Sequence, residues 1–123
     1  MDKHSLEQHI KAGASNVIVT SPATDVDATL IYGVNETDYK FKEHNIISAS
    51  SCTTTCLTPI LKVLQKNYGI KQGFITTIHS FTLGQTLLDS SHSDLRRSRA
   101  ATMSIIPTTT GATKDVGCVL PEL

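Results

Sequence analysis

The chain has 123 residues, 39% of them apolar and 18% charged, the balance of one modest globular domain. Eleven basic residues match eleven acidic ones, so no net field favours nucleic acid or an anionic membrane surface. An odd count of three cysteines argues against a secreted disulfide scaffold, and no apolar run approaches the ~20 residues of a membrane span.

The start, MDKHSLEQHIKAGAS, lacks the apolar core of a signal peptide, and a reducing cytoplasm is the expected location. Leu6 and Ile10, followed by Gly13 as a C-cap, predict a short helix over HSLEQHIKA. NVIVTSP is a β-branched run stopped by Ser21 and Pro22, the pattern of a buried strand. A polar loop leads to a second predicted strand over residues 29–34 and a third over residues 45–48. Leu57, Ile60, Leu61 and Leu64 then recur at helical spacing and predict a core-facing stripe. Ser51 suits the N-cap, which puts Cys52 at the first helical position. Pro59 makes a later start, at Thr58, the competing reading. GFITTIHSF alternates as a strand with His79 near its end, and MSIIP reads as another. A basic DLRRSRAA segment separates them, and PTTTGATKDVGCVLPEL turns into a helix from about Ala112 to Pro121.

A cysteine at a helix start meets the positive end of the dipole and exposed N–H groups, which favour a thiolate. Cys52 with His79 therefore has nucleophile-and-base character; a buried cysteine and a satisfied core histidine explain the same residues. Cys56, one turn along, points to the expected core. C-x-x-x-C lacks the second close pair of a structural zinc site, so no metal is expected. Arg96, Arg97 and Arg99 suit phosphate recognition or a solvated face. Thr108, Thr109, Thr110 and Gly111 suit a phosphate at a helix N-terminus or an ordinary cap. Together these features point to a thiol enzyme acting on a phosphorylated substrate.

SCTTTCL, TTIHSFT, HSDLRRSRAA, SIIPTTTGATK and VLPEL, in this order, resemble the phosphorylating glyceraldehyde-3-phosphate dehydrogenase family, with erythrose-4-phosphate dehydrogenase as a close relative. The resemblance implies a cytoplasmic, NAD-dependent glycolytic oxidoreductase, a homotetramer at full length, which oxidises glyceraldehyde 3-phosphate to 1,3-bisphosphoglycerate. By motif, Cys52 matches the nucleophile that carries the thioester and His79 its base. Ser51, Thr53, Arg96, Thr110 and Gly111 match positions around inorganic phosphate, Thr82 one at the sugar-phosphate site, and Thr20 one near the cofactor. Ala49 and Thr55 stand where the family usually has asparagines.

The implied fold is α/β. Residues 1–48 are expected to be the C-terminal part of an NAD-binding Rossmann domain. Residues 49–123 are expected to be the N-terminal part of an α+β catalytic domain, with a mixed or antiparallel sheet backed by helices. No G-x-G-x-x-G is present. The chain thus reads as a central fragment or truncated product, expected to be inactive alone. A non-catalytic remnant keeping a fold, interface or phosphate site is the alternative, and a cysteine acyl-transferase without NAD a third reading.

Overall fold

Asp2 opens the first helix, α1 (Lys3–Lys11), by accepting the Ser5 amide on its side chain at 2.9 Å. His9 and Lys11 sit in the last turn, where the helix dipole favours cations. The computed structural model describes residues 1–123. They form two compact units, Met1–Gly73 with Gly111–Leu123, and Phe74–Thr110.

In the first unit, β1 (Val17–Val19), β2 (Ala28–Thr29) and β3 (Ile46–Ser48) form a sheet of order β1-β3-β2. Both pairings are parallel, with Val17 opposite Ile46 and Ala28 opposite Ile47. β3 is central and buried at every residue, as its unbroken apolar run requires. Leu6 of α1 packs with Val19 and Ile46, and Ile10, Val17, Ala23 and Val26 close around them. Burying each large aliphatic side chain contributes about 1.5–3 kcal/mol.

This sheet corrects the expected architecture. It is parallel, not mixed or antiparallel, and every strand precedes residue 49. Residues 30–45 connect β2 to β3, long enough for the crossover that a parallel pair needs. GFITTIHSF and MSIIP form no strand. A strand exists only through a neighbour's hydrogen bonds, and Phe74 and Ile78, at 100% and 89% exposure, pack on nothing. The second strand is also shorter than expected. Asn35 accepts the Ile31 amide at 2.9 Å and donates to the Thr29 carbonyl at 3.0 Å, which curls residues 31–35 into a turn.

The second long helix, α2 (Cys52–Tyr68), starts at Ser51 as expected and ends at Gly69, whose φ of 72° suits glycine. The last, α3 (Ala112–Val119), packs on α2. Ile31, Val34, Val119 and Leu120 form a second core against Leu61. The buried stripe of α2 runs through Thr54 and Thr58, while Ile60 and Leu64 are exposed. Cys56, expected in the core, is exposed too. All buried apolar side chains belong to the first unit. The second is tied by polar contacts, with Arg99 on Asp89 and the Thr86 hydroxyl donating to the carbonyls of Arg97 and Arg99.

Candidate functional site

The approach to Cys52 is a sequence of tied-down residues. The Ala49 amide donates to the Val19 carbonyl at 2.9 Å, fixing the chain as it leaves β3. Ser50 then adopts φ 60°, a left-handed conformation that costs a non-glycine residue roughly 1–3 kcal/mol. Its amide donates to Ser48 Oγ at 3.0 Å, and Ser48 Oγ donates to the Ser21 carbonyl at 2.9 Å. Its own hydroxyl donates to Asp115 Oδ2 of α3 at 2.8 Å. Ser51 follows as N-cap, accepting the Thr54 amide at 3.1 Å, with its hydroxyl 2.7 Å from Thr54 Oγ1. Thr54 is fully buried and also donates to Asp115 Oδ2, at 3.4 Å. Cys52 is thereby presented as the first residue of α2, exposed, with Thr53 partly buried beside it. None of the three cysteines is in a disulfide.

The positions of the two missing asparagines meet: the Thr55 hydroxyl donates to the Ala49 carbonyl at 3.4 Å. Gly111 is the N-cap of α3. Thr20 lies exposed just past the C-terminal end of β1. The carboxyl ends of parallel strands are where open α/β sheets bind ligands. Thr20 and the Ser48–Ser51 turn lie at that end of the sheet; the glycine-rich turn that holds a pyrophosphate has no counterpart among these residues.

The second unit carries His79, Thr82, Arg96 and Thr110. His79 is exposed, with Nδ1 2.6 Å from the Ser80 carbonyl. That contact requires the proton on Nδ1, which leaves Nε2 as the basic nitrogen of the neutral ring. Thr82 Oγ1 accepts the Gly84 amide at 3.4 Å. The Arg96 fork lies on Asp94, with Nε–Oδ1 and Nη2–Oδ2 both 3.0 Å. That bond lowers the Asp94 pKa and raises that of Arg96. Arg97 is the arginine that reaches the threonine turn. Its Nε donates to Thr108 Oγ1 and its Nη2 to the Thr109 carbonyl at 3.1 Å. A Cβ at Gly84 would stand 3.6 Å from Arg97 Nη1 and 3.7 Å from Thr82 Oγ1, so Thr82, Gly84 and Arg97 share one neighbourhood.

Within the first unit the structure thus groups Ser51, Cys52 and Thr53, and within the second Thr82 joins Arg97 rather than Arg96. Ser50 and Asp115 are the residues that sequence reasoning passed over, and Arg97, named there with Arg96 and Arg99, was left out when the motif gave the phosphate role to Arg96. Arg97 had the same signal as its neighbours, three arginines in one run. Ser50 and Asp115 had none, since a pairing across 65 positions leaves no local pattern.

A family model for the glyceraldehyde 3-phosphate dehydrogenase C-terminal domain matches residues 51–123. Glyceraldehyde-3-phosphate dehydrogenase A, chloroplastic, of Chlamydomonas reinhardtii is 56% identical over 124 residues, covering 100% of this chain and 33% of that protein. Glyceraldehyde-3-phosphate dehydrogenase 2 of Nostoc sp. is 53% identical over 123 residues, 100% of this chain and 36% of its own length. The Geobacillus stearothermophilus glyceraldehyde-3-phosphate dehydrogenase is 54% identical over 116 residues, 94% and 35%. The chain spans about a third of the length of these curated relatives. With more than half of its residues under the family model and such identity on both sides of the Cys52 turn, the chain belongs to the glyceraldehyde-3-phosphate dehydrogenase family.

Proposed function

We propose that this chain supplies the thiol and phosphate-handling part of an NAD-dependent, phosphorylating oxidation of glyceraldehyde 3-phosphate. The observation that carries the reading is Cys52, exposed at the first position of a capped 17-residue helix, in a chain of this family. Cys52 attacks the aldehyde carbon and forms a thiohemiacetal, and His79, through Nε2, takes the hydroxyl proton. The Cys52 amide, at the N-terminus of α2, donates to the oxyanion. NAD, when bound, supplies the hydride acceptor, and Thr20 is the residue of this chain that would contact it. The resulting Cys52 thioester is cleaved by inorganic phosphate, which releases the thiolate and an acyl phosphate. By the family motif alone, Ser51, Thr53, Arg96, Thr110 and Gly111 handle the attacking phosphate and Thr82 the substrate phosphate; the bond of the Arg96 fork to Asp94, against the reach of Arg97 to Thr108 and Thr109, favours Arg97 for the arginine's part. We place the reaction in the cytoplasm, where three reduced cysteines are the ordinary state, and assign the homotetrameric assembly on family grounds alone.

Two measurements test this. Brief alkylation with iodoacetamide at neutral pH, mapped by mass spectrometry, should label Cys52 ahead of Cys56 and Cys118. Preference for either of the others would overturn the assignment of the nucleophile. Phosphate binding, followed by phosphorus NMR, separates the arginines. Arg97→Ala should weaken it by roughly one to two orders of magnitude, as expected for loss of a charge-assisted contact. Arg96→Ala should weaken it less, because phosphate must displace Asp94 from the Arg96 fork. A larger loss in Arg96→Ala would return the role to Arg96.

A further inference from the structure

Ser50 is the one residue between β3 and the α2 N-cap with a left-handed backbone, and its side chain is held from another helix. Left-handed φ is disfavoured for serine, so the turn persists only because its surroundings over-determine it. The Ser48 hydroxyl holds the Ser50 amide. The remaining tie is Asp115, one carboxylate oxygen of which accepts both Ser50 Oγ at 2.8 Å and Thr54 Oγ1 at 3.4 Å. Ser50 precedes Cys52 by two residues and Thr54 follows it by two, so both flanks of the cysteine converge on one oxygen.

We propose that Asp115 is a positioning residue for Cys52: through Ser50 and Thr54 it clamps the left-handed turn and first helical turn from which the thiol projects. The inference rests on the reading of Cys52 as the reactive thiol, and goes beyond it by assigning a role to a carboxylate on α3. Asp115 acts through the two hydroxyls and is not itself a catalytic residue.

The clamp is read by the rate of Cys52 with iodoacetate divided by its rate with iodoacetamide. The ratio cancels the thiolate fraction, because both reagents consume the same thiolate at one pH. What remains is the attraction of an anionic reagent to the positive end of the α2 dipole. Cys118, in the last turn of α3, is the internal reference at the negative end of a helix. The Cys52 ratio should exceed the Cys118 ratio by roughly two- to fivefold.

Ser50→Ala, which changes no charge, should remove most of that excess, and so should Asp115→Ala. The double variant should lose no more than either single one, the mark of one shared contact. Asp115→Asn, whose amide oxygen still accepts both hydroxyls, should keep it or, through loss of the charge, raise it. Ser50→Gly should keep part of it, because glycine holds the left-handed turn without a clamp. A wild-type ratio in both alanine variants would overturn the proposal. So would a rise in Asp115→Ala, since loss of a negative charge alone raises the ratio while loss of geometry lowers it. Should Asp115→Ala lose its helical circular dichroism, Ser50→Ala and Asp115→Asn decide alone. Faster reaction of Cys56 or Cys118 with the neutral reagent would instead sink the reading of Cys52 on which the proposal stands.

Discussion

Incubated with glyceraldehyde 3-phosphate, NAD and phosphate, the purified 123-residue chain should produce no NADH above its Cys52→Ser variant. The same aldehyde should still protect Cys52 from alkylation. The two halves of this result have different requirements. A thiohemiacetal needs an accessible thiol and an aldehyde, and Cys52 is exposed at the head of α2. Hydride transfer needs the nicotinamide about 3–3.5 Å from the reacting carbon, and a misplacement of an ångström costs about a hundredfold. A dinucleotide is held at that precision chiefly by its pyrophosphate on a glycine-rich turn and helix N-terminus. None of the seven glycines here stands in such a turn, and the contact proposed for Thr20 is a single one. NADH formation above the Cys52→Ser control would show that these residues hold the cofactor by other means. Loss of aldehyde protection would remove Cys52 from the mechanism.

How much of this was legible in the sequence depends on how far apart the cooperating residues lie. Helix ends are local, and they were readable. Ser51 caps α2 within three residues and Gly69 closes it, and α3 begins at Ala112 as expected. The strand signals were local too, but pairing is not. NVIVTSP and residues 45–48 contain β1 and β3, whereas GFITTIHSF, with equally clean alternation, has no neighbour to bond and stays irregular. Alternation reports a residue pattern that a sheet can use; it does not supply the second strand. The α2 stripe shows the same limit. Leu57, Ile60, Leu61 and Leu64 are correctly spaced for a face, yet α3 covers the side carrying Thr54 and Thr58 and leaves Ile60 and Leu64 exposed. The place of Cys52 at the head of α2 was readable because its clue, the Ser51 cap, is adjacent. Asp115 was missed because its partners lie 61 and 65 positions away. The choice between Arg96 and Arg97 turns on one residue of register in a loop, which composition does not resolve.

Asp27→Ala should destabilise the first unit by about 2–4 kcal/mol, the largest effect expected from any single charged side chain here. One of its oxygens accepts Lys3 Nζ of α1 at 2.6 Å, and the other accepts the amides of Asn45 and Ile46 at 2.9 Å each. A single carboxylate thus joins α1, the entry to β2 and the start of β3. Alanine removes a charge-assisted bond and also leaves two amides without an acceptor, and the second loss is the heavier one. Burial raises the Asp27 pKa, but Lys3 and the two amides outweigh it, so the carboxyl titrates below its ordinary 3.8. A depressed folded-state pKa contributes stability that is present above the unfolded value and is lost as pH falls through the folded one. The difference between wild type and Asp27→Ala should therefore be constant near neutrality and shrink below about pH 4. Lys3 shifts the other way, upward, mainly through the same bond. Its share is present below the usual lysine value and fades only as pH rises through the folded one. Urea unfolding followed by helical circular dichroism gives the comparison, with Glu43→Ala as control. The Lys40–Glu43 pair is 63% and 65% exposed and 3.2 Å long, and such pairs contribute between zero and about 1 kcal/mol. Equal losses in the two variants would mean that Asp27 acts as one more surface charge and that the amides of β3 find other acceptors when it is gone.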